Sequence, residues 1–121
     1  MMKKILIICC MLISLAMPTF AANWYWAGAD NSNGQWYIDN DSVVKDWNKG
    51  IAIIWIKQTK QDGSYTKDEI GITNTRYMLV FKSLHYNSSE QFLYEVPGSQ
   101  QPISVVPGTV SEAIYDLVWG A

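Results

Sequence analysis

The chain predicts an α+β fold, an antiparallel sheet of about six strands with one C-terminal helix packed on one face of it. Three observations lead there. From Asn23 to Val106 short apolar runs alternate with turn clusters such as Asn33-Gly34, Asp62-Gly63 and Asn87-Ser88-Ser89, the rhythm of strands joined by hairpins. Only at the end, through Val110, Ala113, Ile114, Leu117 and Val118, do apolar residues recur at helical spacing. About 100 residues remain once the N-terminal leader is set aside, enough for one domain and one core.

That leader reads as an export signal. Lys3 and Lys4 give a positive start, Ile5 to Ala16 an uncharged apolar run, and Pro18 breaks it before Thr19-Phe20-Ala21. Cleavage is expected after Ala21, with Ala22 the alternative, leaving a single domain over 22–121. The run is shorter than the ~20 residues that span a bilayer, so no stable membrane anchor is expected after cleavage. Cys9 and Cys10, the only two cysteines, both lie in the leader. The mature chain is therefore expected to lack disulfides and a lipidated cysteine, and to be periplasmic, or extracellular and at the cell surface, in a bacterium. The whole sequence carries nine basic and eleven acidic residues. Losing Lys3 and Lys4 leaves seven against eleven, a formal net of −4, which disfavours nucleic acid as a partner.

The elements follow in order. Asn23–Gly28 is a short strand bearing Trp24, Tyr25 and Trp26, closed by Asp30-Asn31-Ser32-Asn33-Gly34, whose Asn-Gly pair suits the positive φ angles of a tight hairpin. Gln35–Asp39 is the second strand, and Asn40-Asp41-Ser42 turns the chain again. Val43 and Val44 lead into a polar connection over Lys45–Gly50 that carries Trp47. Ile51–Lys57 is the best strand, apolar on both faces and so suited to a central, two-sided position. A polar tip around Asp62-Gly63 precedes Lys67–Thr73, where Gly71 and Thr73 interrupt any helical pattern and favour a strand. Thr75–Tyr86 alternates Met78, Val80, Leu84 and Tyr86 on one face with Tyr77, Leu79, Phe81 and His85 on the other. Gln91–Val96 returns as a strand, Pro97–Pro102 is a loop, and Ile103–Val106 approaches the helix in extended form.

The helix has its own start and stop signals. Thr109 and Glu112 are spaced as a capping box, each side chain able to serve the other's backbone N–H. Gly120 stands at a left-handed C-cap position. So short a helix needs a surface to lie on, and burying Ile114, Leu117 and Val118 at ~1.5–3 kcal/mol each would dock it.

Pro107-Gly108-Thr109-Val110-Ser111-Glu112-Ala113-Ile114-Tyr115-Asp116 resembles the closing motif of the surface-adhesin E-like family of small exported bacterial proteins. There the motif runs Pro-Gly-Ser, any residue, Gly-Glu, two residues with the second apolar, then Tyr. Trp36-Tyr37-Ile38-Asp39 with Ser42-Val43, then Trp55-Ile56-Lys57, then Arg76-Tyr77 running to Tyr86 are similar to further elements of that family, in the same order. The resemblance covers nearly all of the mature chain. It implies a curved sheet with the helix on its concave side, and structural roles for Pro107, Gly108, Thr109, Glu112, Ile114, Tyr115, Leu117 and Trp119. Family members commonly tie the helix end to a strand by a disulfide, at positions that correspond here to Trp119 and a residue near Thr73. Packing of the Trp119 indole is expected to offset part of that loss.

No constellation in the sequence declares a chemistry. His85 is the only histidine, and no nucleophile elbow accompanies it. The oxygen-rich runs at Asp30–Gly34 and Asp39–Asp41 lack the spaced ligands of a calcium loop. Asp68 and Glu69, as neighbours on a strand, point to opposite faces. No catalytic residue, metal site or cofactor is expected, and the chain reads as a non-enzymatic module. Aromatic residues are its one excess, six Trp and seven Tyr. Core filling accounts for most of them; Trp24, Trp26 and Trp47, in polar turn-flanked surroundings, are the candidates for binding a partner. The resemblance implies an adhesin-like protein-binding module with host extracellular-matrix proteins among its partners. The alternative is a periplasmic envelope protein that binds glycan or inhibits a cell-wall hydrolase.

Overall fold

The computed structural model describes residues 23–99 and 101–120, so the expected export signal lies outside the described residues. Eight strands and one helix follow in order: β1 (Trp24–Ala29), β2 (Gln35–Asp39), β3 (Val44–Asp46), β4 (Ile51–Thr59), β5 (Tyr65–Thr73), β6 (Tyr77–Tyr86), β7 (Phe92–Pro97), β8 (Ile103–Ser104) and α1 (Val110–Trp119). Every pairing is antiparallel, in the order β1-β2-β4-β5-β6-β7, with β3 beside β4 and β8 beside β6. The sheet curls into a half-barrel and α1 packs on its concave face. No described helix is long and apolar enough to cross a membrane, and with no cysteine among the described residues there is no disulfide there.

The core is one isoleucine-rich cluster. Ile38 of β2, Ala52, Ile54 and Ile56 of β4, and Ile70 and Ile72 of β5 meet Val105, Ile114 and Val118. Successive strand residues point to opposite faces, so this alternating set fixes the register of three strands at once. The segment with the most ambiguous sequence, β5, is among the most deeply buried strands. Its Gly71 lies under the side chains of Ile51 and Phe81, where a Cβ would approach within 3.0 Å of each.

Several expectations are corrected. The second face of β4 is not covered by another layer of described residues: Ile53 is exposed, and Ile51 and Trp55 are half-buried. Lys45 and Asp46, expected in a connection, form β3 together with Val44, because Val44, Lys45 and Asp46 pair with Ile53, Ala52 and Ile51. Of the Asn33-Gly34 pair only Asn33 takes a positive φ, 59°. In β6 the simple alternation breaks: Glu69 pairs with Lys82 but Ile70 with Val80, so Phe81 is an extra residue, a bulge. Met78 and Val80 therefore share the concave face with Ser83 and His85, while Leu84 and Tyr86 turn to the convex face.

The helix also differs in detail. Its buried residues are Ile114 and Val118, whereas Leu117 is 51% exposed, a quarter-turn away from the sheet. The capping box does not close. Thr109 Oγ1 donates to Val106 O at 2.6 Å, and Glu112 accepts from Gly108 N–H and from Arg76. Gly120 has positive φ (87°) but extended ψ (151°), so it ends the helix outside the left-handed α region.

Candidate functional site

The three tryptophans singled out from the sequence do not come together. Trp24 and Trp26 lie on edge strand β1, Trp47 in the turn after β3. Trp24 is half-buried, with the Lys57 ammonium 5.8 Å from its ring centre. Trp26 is exposed, its indole N–H donating to Gln35 Oε1 at 2.7 Å. Trp47, 72% exposed, meets the edge of Trp119 at 5.4 Å, and Lys45 lies over both rings. Trp47 is thus part of the seam at the C-terminal end of α1. There Trp119 donates its N–H to Ile72 O at 3.1 Å, one residue from the Thr73 region to which a covalent tether was expected to correspond. Tyr115 Oη donates to Asn74 O and its ring carries Arg76, which also pairs with Glu112 at 2.9 Å. The helix motif is a docking device made of hydrogen bonds and rings.

The convex face carries a second aromatic system. Lys57 sits over Tyr65, Tyr65 stacks on Tyr86 at 4.8 Å, Lys67 covers Tyr86, and Phe92 meets Tyr86 edge-on. Long lysine stems shield apolar surface while the ammonium stays wet. Burial, then the neighbouring Lys67 charge, lowers the Lys57 pKa, against an opposing pull from Glu90. The rings here are already occupied by their neighbours.

Two features that the sequence did not single out remain open. The first is β7. It forms one edge of the sheet and all six of its residues are exposed, including Phe92, Leu93, Tyr94 and Val96. Leu93 is bulged against β6, Pro97 has no N–H to offer, and Tyr94 and Val96 turn their backbone groups towards β6, so between the bulge and Pro97 only Glu95 presents free backbone. The signal lay in Phe92-Leu93-Tyr94, apolar on both faces of a strand that closes the sheet.

The second is the polar half of the concave face. Beyond the isoleucine cluster, the register sets Trp36, Gln58, Thr66, His85 and Tyr94 in one row across five strands. The next row holds Ile38, Ile56, Asp68, Ser83 and Val96. His85 stacks on Tyr94 at 4.5 Å. Asp68 is buried, its Oδ2 accepting from Gln58 Nε2 at 2.7 Å, while its Oδ1 is buried with no hydrogen-bond partner. Glu69 points the other way, as strand alternation requires. Trp36 is also one wall of a cavity of about 330 Å³, bounded by Asp30, Met78 and the first turn of α1. There Asp30 accepts from the Trp36 indole and from Ser32 and Gly34 N–H, which hold its carboxyl below its ordinary pKa, the Trp36 bond foremost.

No group of three or more metal-ligating side chains occurs among the described residues. No family model matches the chain, nor does any curated protein or solved structure.

Proposed function

We propose that the protein is an exported, non-enzymatic binding module, adhesin-like, that captures another protein through the β7 edge, with host extracellular-matrix proteins as the expected class of partner. The observation that carries this reading is the wholly exposed, apolar strand at the open end of the sheet. Phe92, Leu93, Tyr94 and Val96 offer large contact surface already fixed in extended form, so ordering them on binding costs little entropy. The outward backbone groups of Glu95 allow only the briefest strand addition, so the side chains give most of the contact. The resemblance described above supports the same reading and adds export. Trp26, exposed on the opposite edge, is a subsidiary contact.

Interferometry with a panel of immobilised, purified matrix proteins tests this. Binding to at least one is expected, weakened 30-fold or more, about 2 kcal/mol, by Leu93→Lys, as at an interface hot spot. No binding across the panel, or binding indifferent to Leu93→Lys and Phe92→Lys, would sink the proposal. Cell fractionation gives a separate check: confinement to the periplasm counts against any host partner.

A further inference from the structure

We infer that the polar half of the concave face is a saccharide-binding trough in which Asp68 Oδ1 takes a hydrogen bond from a sugar hydroxyl. The ligand differs from that of β7, the two surfaces meet only at Tyr94 and Val96, and the trough stands on different observations. The first is the unpartnered oxygen itself. A buried acceptor without a donor is costly and uncommon in native proteins, and here it belongs to a side chain 95% removed from solvent. Nothing in the docking of α1 uses it.

The second is what surrounds it. Asp68 is paired across the sheet with Ser83, and Gln58 holds its other oxygen. Thr66 and His85 form the next cross-strand pair on the same face. These side chains offer both donors and acceptors, the complement of a ligand rich in hydroxyls. A metal ion is a poor fit, because Asp68 is not part of any group of three or more ligating side chains among the described residues.

The third is the placement of rings. The row begins at Trp36 and ends at the His85–Tyr94 stack, with amide and hydroxyl between. Four interstrand steps of ~4.8 Å make it roughly 19 Å long measured along the sheet, and the curl brings its ends closer. Aromatic faces at both ends and hydrogen-bonding groups in the middle suit an oligosaccharide of a few units, whose apolar ring faces lie on the aromatics while its hydroxyls meet the floor. Because Asp68 Oδ1 is closed to solvent, a hydroxyl or one bridging water reaches it as the ligand displaces the neighbouring side chains of the trough floor. Burial increases along the row towards Thr66, while Tyr94 stays exposed, so the entrance lies at the β7 side.

Isothermal titration of the protein with chitotetraose, cellotetraose and maltotetraose tests the assignment. At least one is expected to bind with a Kd below about 1 mM, and Asp68→Asn is expected to weaken it tenfold or more. Trp47→Ala, far from the trough, should leave binding unchanged. Should Asp68→Asn fail to fold, His85→Ala at the half-buried rim replaces it, with the same tenfold loss expected. No binding of any of the three, or binding that survives these substitutions, overturns the inference. Leu93→Lys separates the two surfaces: it is expected to weaken matrix-protein capture 30-fold or more and to spare the titration with sugar.

Discussion

Ile114 and Leu117 are three residues apart on one ten-residue helix, yet they stand in opposite environments. Ile114 is fully buried against β4 and β5 and Leu117 is half in water. Ile114→Ala is accordingly expected to cost ~2–5 kcal/mol by leaving a cavity, while Leu117→Ala stays within ~0.5 kcal/mol, as at other surface sites. Urea titration of the two variants checks both. Helical spacing alone could not separate these residues, because a stripe of five apolar positions is wider than the strip that the sheet covers. Asp30 offers a test with pH. Its folded pKa is depressed, chiefly by the Trp36 indole N–H. The stability it contributes is therefore present above the ordinary aspartate value of 3.8 and is lost as pH falls through the lower folded value. The Trp36 indole N–H resonance should shift with a midpoint below 3.8; a midpoint at or above it would contradict the bond.

Among the elements, β6 and β7 are closely set where β7 ends. Gly98 N–H donates to Phe81 O at 2.9 Å, and a Cβ at Gly98 would collide with the Val80 carbonyl. Gly98→Ala is thus expected to push the end of β7 away from β6 and to cost ~2 kcal/mol or more, measured by thermal unfolding against the parent. Most strands were legible from alternation and turn residues, β4 above all. β3 was not: its three residues are too few to show a period, and they pair only because β4 has a free flank there. In β5 the strand was legible but its depth was not, since the acidic pair Asp68-Glu69 and Gly71 hid an apolar face that is visible only once Ile54 and Ile56 lie beside it. The capping box was a correct spacing with another outcome, since Arg76 draws Glu112 away from the Thr109 N–H.

At the scale of the molecule, stability should fall from the centre of the sheet towards β7. Hydrogen exchange is expected to be slowest at Ile54, Ile70 and Ile72 and fastest across β7, whose residues are all exposed. Slow exchange of Glu95, whose N–H faces away from β6, in a dilute sample would show that the edge is already covered, and would remove the basis for a free docking strand. The fold class could be read from the sequence because it rests on repeated local signals. The trough could not, since Asp68, Ser83 and His85 share a face only through a frame change in β6 that no residue type announces.

That frame change makes the chemistry of the concave surface a matter of parity. Taken into the ladder as a regular residue, Phe81 would shift the rest of β6 by one, turning Ser83 and His85 outward and bringing Leu84 and Tyr86 onto the concave face. The product would have an oily hollow in place of a polar one, built from the same side chains in the same order. Deleting Phe81 has the opposite outcome: Val80 stays opposite Ile70 and Ser83 opposite Asp68, and the strand is straightened with its inward set intact. Sugar titration of the deletion variant is therefore expected to match the parent.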